Sequence, residues 1–216
     1  LGDVYKRQNS NRPFLVATAL VNAPFSCPKS SLSTMFSDSA AQLSSINGFV
    51  ERASKIVVIH IGFNDKISIR RWPVEYHLEL IQRLSQEKDV FVIIIGLNPA
   101  DKIDDFLKFP RCINLIGKTN IRELLALFNI SKALVTHDSG IAHVASLSNI
   151  NTFVLFGPET PVLYMPLNLN KTILYADLAC SPCINAYNQR YSTCKNNMCL
   201  KKIKPDQVYT ALKKYI

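Results

Sequence analysis

No run of apolar residues in this chain approaches the roughly 20 that a bilayer-spanning helix needs. The opening residues lack the continuous apolar core and small-residue cleavage site of a secretory signal. A soluble, cytosolic protein is the expectation. Acidic residues are few beside basic ones, 16 Asp and Glu against 25 Lys and Arg, which leaves a formal charge of +9. That excess gathers anions of several kinds, including nucleotide sugars, nucleic acid and acidic lipid surfaces, and does not choose among them. No aromatics are interleaved with the basic residues and no RNA- or DNA-binding motif is present, so nucleic-acid binding rests on charge alone. No cysteine has the surroundings of a nucleophile, which argues against covalent thiol catalysis. There is no initiator methionine, and residues 1–8, Leu-Gly-Asp-Val-Tyr-Lys-Arg-Gln, have no periodicity, so they read as an artefact and the chain as a fragment.

What is present is enough for a real core: 216 residues at 48% hydrophobic. The pattern divides near residue 50. Residues 9–50 hold one apolar run, from Phe14 to Val21, and then a Ser-rich stretch with little period, which reads as a linker and the remnant of another domain. From residue 51 on, short apolar runs alternate with helical patterns. Strands are expected at 55–61, 90–95, 112–116, 133–136 and 152–156, and helices at 74–84, 101–107, 121–128, 141–147 and 205–215. That alternation is the signature of βαβ units, hence of an α/β fold with a Rossmann-like parallel sheet and helices on both faces. Pro73 suits the first turn of its helix, and Asn120 followed by Glu123 has the form of a capping box.

Two small-residue turns follow directly on apolar runs. Ala133-Leu-Val-Thr-His-Asp-Ser-Gly-Ile-Ala-His143 breaks at Asp138-Ser139-Gly140 and restarts as a helix; Thr152-Phe-Val-Leu-Phe-Gly-Pro-Glu-Thr-Pro161 breaks at Gly157. Ligands of open parallel sheets sit beyond the carboxyl ends of the strands, where a helix N-terminus offers free N–H groups to an anion. The pair of turns points to an anion site, and to the diphosphate of a nucleotide in particular. Ser139 is placed to cap the helix that carries His143 one turn on, with both facing one ligand. Taken singly, each residue also has a plainer role: Asp138 as a turn or cap residue, His143 as a core or interface histidine, Gly157-Pro158 as a simple turn, Trp72 as packing and Arg71 as solvated charge.

The cysteines stand apart. Cys180-x2-Cys183-x10-Cys194-x4-Cys199 can supply four thiolates to a tetrahedral structural zinc, or can be disulfides or reduced thiols. Polar residues around them, including Asn185, Asn188, Asn196 and Asn197, leave the loop little apolar core of its own. Cys27 and Cys112 have no partner by spacing.

The residues Arg70-Arg-Trp-Pro73, Ile116-Gly-Lys-Thr-Asn-Ile-Arg-Glu-Leu124, His137-Asp-Ser-Gly-Ile-Ala-His143, Leu155-Phe-Gly-Pro-Glu-Thr-Pro161 and the segment from Cys180 to Ile203 resemble, in order and spacing, glycosyltransferase family 9, the lipopolysaccharide heptosyltransferases. The resemblance implies the C-terminal, donor-binding half of a GT-B fold and an inverting transfer that needs no catalytic metal. The nucleotide-diphosphate sugar would be ADP-heptose-like, and the acceptor a lipopolysaccharide-type or other glycan or lipid-linked sugar. A carboxylate general base would come from an N-terminal domain of which this chain holds only a stub, so the chain alone would bind donor without catalysing.

Carried onto this sequence, the resemblance makes Asp138 a contact for sugar hydroxyls, Ser139 and the amide of Gly140 phosphate ligands, and His143 part of the pocket wall. The backbone around Ile116 and Gly117 would border the nucleobase and Asp101 would grip the ribose. Arg70 stands where the heptosyltransferases carry a Lys two residues before the Trp-Pro pair; it keeps the charge but brings a planar fork in place of a point charge. Lys201-Lys202 and Lys213-Lys214 would either meet the anionic inner membrane leaflet peripherally or stand as ordinary solvated charge. The alternative from another class is a non-catalytic nucleotide-sugar-binding module, or a zinc-stapled interaction module.

Overall fold

The computed structural model describes residues 55–62, 69–97, 105–106, 108–189 and 191–216. The expectations for residues 1–54, and for Asp101 and most of its helix, lie outside them. Six parallel strands form one sheet: β1 (Lys55–His60), β2 (Val90–Ile95), β3 (Cys112–Asn114), β4 (Ala133–His137), β5 (Asn151–Phe156) and β6 (Lys171–Tyr175), in the order β3-β2-β1-β4-β5-β6. Strand order reverses between β1 and β4, which pair through Val57–Ala133, Val58–Leu134 and Ile59–Val135. A crevice at such a reversal is where doubly wound sheets bind ligands.

Alternation along the strands decides what each face covers. Val57, Ile59, Val92, Ile94, Val135, Phe153 and Leu155 point to one side, where they meet Leu80, Ile81 and Leu84 of α1 (Val74–Gln86), Leu200 of α5 (Met198–Lys201) and Val208 and Leu212 of α6 (Pro205–Leu212). Ile56, Val58, Ile93, Ile95 and Leu134 point to the other, against Leu124, Leu127 and Phe128 of α2 (Ile121–Ile130) and Ala145 of α3 (Gly140–Ala145). Strands buried on both faces read as continuous apolar runs, as Val-Phe-Val-Ile-Ile-Ile does in β2. Each such buried side chain contributes about 1.5–3 kcal/mol of transfer free energy.

Local chemistry sets the boundaries. Asn120 caps α2 by accepting from the N–H groups of Arg122 (2.9 Å) and Glu123 (3.1 Å), while the Glu123 carboxylate accepts the Asn120 N–H at 2.7 Å. That is the reciprocal box the sequence predicts. Pro73 sits one place earlier than expected, as the residue preceding α1, and its carbonyl accepts the N–H of His77 at 3.2 Å. Three further elements were not expected from the sequence: β6 at the sheet edge, the single-turn α4 (Pro161–Tyr164), capped by the Thr160 hydroxyl, and the short α5. Close approach at the sheet's carboxyl end requires Gly96, where a Cβ would lie 2.7 Å from the Ile61 carbonyl oxygen.

Candidate functional site

At the carboxyl ends of β1, β2 and β4 a cavity of about 930 Å³ opens. His60 and Gly62 from β1, Ile95 and Leu97 from β2, Asn120 and Arg122 at the start of α2, and His137 through Gly140 after β4 line it, with Arg70 and Arg71 closing one side. The wall is apolar where Leu97 and Ile121 stand exposed across the mouth and polar where β4 ends.

The arginine arm is fixed by partners distant in sequence. Asn197, just before α5, donates its amide to the carbonyls of Arg71 (2.6 Å) and Ile69 (3.2 Å). The Trp72 indole N–H donates to the Ile203 carbonyl at 2.8 Å, and the Trp72 backbone N–H donates to His137 Nε2 at 3.2 Å. So held, Arg70 directs its guanidinium to the buried Glu159 carboxylate and lies 3.5 Å from Asp138 Oδ2. A guanidinium between two carboxylates is oriented by both, and each acid is in turn held by it. Hence Asp138 faces the cavity in a defined direction.

Under the cavity lie three imidazoles. His60 Nδ1 is 2.8 Å from the Thr136 hydroxyl, which also meets Ser139 Oγ at 3.2 Å. His77 Nδ1 is hydrogen-bonded to the Pro73 carbonyl at 3.1 Å and its ring packs edge-on against Trp72, 4.9 Å between centroids. Burial lowers the pKa of His60 and of His77 to about 4, with the proximity of His77 adding to the first and the Pro73 hydrogen bond opposing the second. Burial pushes His137 well below its ordinary value, and His77 and His60 push it further. All three are neutral at pH 7.

The predicted residues divide by placement. Arg70, Asp138, Ser139 and Gly140 come together in the cavity wall, and Arg71 joins them. Ile116 and Gly117 do not. The Ile116 side chain is drawn into the core beneath the sheet, Gly117 makes a turn at φ +69° whose N–H donates to Gly96, and Thr119 through Arg122 occupy the wall instead. His143 is exposed and outside the cavity wall: α3 turns Ala142 and Ala145 inward, which leaves His143 facing outward. Nor does the Ser139 hydroxyl cap α3, because it is engaged with Thr136. With only six residues, α3 brings the N–H groups of its first turn and little macrodipole.

The cysteine loop is held by more than its sulfurs. The N–H groups of Cys183 and Ile184 donate to the Pro158 carbonyl at 2.9 and 3.0 Å, the Ser181 hydroxyl donates to the Gly157 carbonyl, and Ile184 and Leu200 are fully buried. Cys180, Cys183 and Cys194 lie near enough to raise the Cys199 thiol's pKa, after burial, which is the larger cause. Among the described residues no three His, Cys, Asp or Glu side chains converge to hold a metal ion. The loop braces both the Gly157–Glu159 turn and the arginine arm.

Glu159, Asn197, His60, Thr136 and His137 were not singled out from the sequence. Of these Thr136, His137, Glu159 and Asn197 lie inside segments quoted above, where nothing local marks their partners, and His60 lies outside them.

Comparison with known proteins follows the same lines. The profile described as glycosyltransferase family 9 (heptosyltransferase) matches residues 10–192. A lipooligosaccharide heptosyltransferase 2 of Campylobacter jejuni subsp. jejuni serotype O:6 is 27% identical over 153 residues, covering 68% of this chain and 47% of its own. The solved E. coli ADP-heptose lps heptosyltransferase II superposes with a TM-score of 0.62 at 23% identity, over 87% of this chain and 50% of that one. An E. coli heptosyltransferase solved with ADP gives a TM-score of 0.55 at 16% identity, over 76% and 45%. The chain thus spans about half the length of the relatives it matches.

Proposed function

This chain belongs to glycosyltransferase family 9, and on that premise we propose that its cavity binds a nucleotide-diphosphate sugar and forms the donor half of a heptosyltransferase-like enzyme. The observation that carries the reading is the juxtaposition of Arg70, Asp138, Ser139 and Gly140 at the sheet's switch point. In it, Arg70 and the first N–H groups of α3 meet the diphosphate, Asp138 accepts from sugar hydroxyls, and the apolar shelf of Leu97 and Ile121 takes the base. A solved relative that carries ADP favours ADP over UDP or GDP.

The reaction on this reading is an inverting displacement. An acceptor hydroxyl, on a lipopolysaccharide-type glycan, loses its proton to a carboxylate from the N-terminal half and attacks the anomeric carbon. The carbon–oxygen bond to the diphosphate breaks, and the nucleoside diphosphate leaves with the electron pair. Protein donors, preorganised by Glu159 and Asn197, stabilise the developing charge. The site of action is the cytoplasmic side of the inner membrane, held peripherally; no helix among the described residues is long and apolar enough to cross one.

Calorimetric titration of the chain with ADP, UDP and GDP tests this. Saturable ADP binding, weakened roughly tenfold or more by Arg70→Ala through loss of a charge-assisted contact, is the expected result. Silence from all three nucleotides in a folded chain would sink the reading.

A further inference from the structure

We propose, resting on the nucleotide-sugar reading of the cavity, that His137 is itself a ligand-binding residue: a tautomer-locked donor that presents its Nδ1–H to an oxygen of the bound nucleotide-diphosphate sugar. The lock comes from the main chain. A backbone N–H can only donate, so the Trp72 N–H at 3.2 Å requires a lone pair on His137 Nε2. The one proton of a neutral imidazole is then on Nδ1. Trp72 has no freedom to relax that requirement, since its indole is buried and tied to Ile203, and the carbonyl of neighbouring Arg71 is held by Asn197.

Nδ1 lies beside Gly62 in the wall of the cavity. A Cβ placed on Gly62 would come within 3.0 Å of it, and Gly62 and His137 both line the cavity, at the ends of the two strands where the sheet order reverses. Among the described residues no acceptor of the protein meets this nitrogen. A glycine at position 62 leaves open the space in front of the donor, which any side chain there would occupy. Burial and the neighbouring His60 and His77 rings keep the imidazole uncharged, so His137 adds direction rather than charge. It therefore complements Arg70, which supplies charge in the same cavity wall.

Two isosteric substitutions separate binding from support. In His137→Gln the side-chain carbonyl replaces Nε2 and keeps an acceptor for Trp72, but nothing remains at Nδ1. In His137→Asn the amide occupies the Nδ1 position, and the acceptor for Trp72 is lost. The inference predicts that ADP affinity falls roughly three- to tenfold in His137→Gln, the worth of one neutral hydrogen bond, while its thermal midpoint stays near wild type. His137→Asn should show the opposite pattern, with affinity better preserved and the midpoint lowered. Gly62→Ala, which puts a methyl in front of Nδ1, should weaken ADP as His137→Gln does. Nitrogen-15 NMR of the histidines at pH 7 should show the proton of His137 on Nδ1 and a shift of that signal as ADP is added.

Wild-type affinity in His137→Gln, or a proton found on Nε2, overturns this inference while leaving the nucleotide site intact. Failure of the wild-type chain to bind ADP, UDP or GDP removes the nucleotide reading and this inference together. The two failures are thereby distinguished by the wild-type titration.

Discussion

Lowering the pH from 7 to 5 should remove a large part of the chain's stability, because the histidines beneath the cavity are buried in the neutral form. His60 and His77 drop from an ordinary 6.5 to about 4 on folding. Between those values the unfolded chain binds protons that the folded chain refuses. Stability is therefore whole above about pH 6.5 and falls as the pH drops toward 4. Each histidine sets a slope of at most about 1.4 kcal/mol per pH unit, or about 2 kcal/mol between pH 7 and 5. The pair costs about 4 kcal/mol over that interval, and His137 adds to it with the same sign. Against a total stability of about 5–15 kcal/mol for a domain, that is enough to approach unfolding. Urea denaturation followed by circular dichroism at pH 7, 6 and 5 measures it. His77→Asn, whose amide can still donate to the Pro73 carbonyl, should lower the slope between pH 6 and 5 by about 1 kcal/mol per unit. Equal stability at pH 7 and 5, or an unchanged slope in His77→Asn, would refute the neutral-histidine account.

Other outcomes follow from the same structure. Asn120→Ala removes both cap bonds of α2 and should lower stability by about 1 kcal/mol in denaturant titration; no change would mean the box is not formed in solution. Alkylation read by mass spectrometry should modify exposed Cys180 first. Cys199, buried, and Cys112, its thiol pushed up to about 12 by burial, should react slowest. Protection of Cys180 that is lifted by a chelator would instead show its thiol tied to a metal.

The parallel sheet was legible because β2 is apolar along its whole length, β4 opens with Ala-Leu-Val, and Asn120-x-x-Glu123 announces α2. β6 was not: its five residues are all half-buried at the sheet edge, so Lys-Thr-Ile-Leu-Tyr carries neither a continuous nor an alternating signal. The Asp138-Ser139-Gly140 turn could be placed at the cavity from the strand break before it. His143 was misplaced because helical period alone puts it one turn from Ser139, whereas the inward face of α3 is set by the small residues Ala142 and Ala145 that allow it to approach the sheet. The supports of the site were beyond local pattern altogether. Glu159 meets Arg70 across 89 residues of sequence, and Asn197 meets Arg71 across 126. Only the assembled fold brings them together, and no spacing rule reaches that far. The cysteine spacing left zinc, disulfides and reduced thiols open and gave no sign that the loop is also tied through Pro158 and Ile203 to both arms of the site.

A nucleotide diphosphate bound at the β1–β4 switch point would perturb the amides around it, which amide chemical-shift mapping of the nitrogen-15-labelled chain with ADP reads out. Saturable shifts are expected at Gly62, Gly96, Ser139, Gly140 and Ile141, which end or follow the strands around the cavity. Shifts confined to β6, α6 or the cysteine loop, with those amides unmoved, would contradict it.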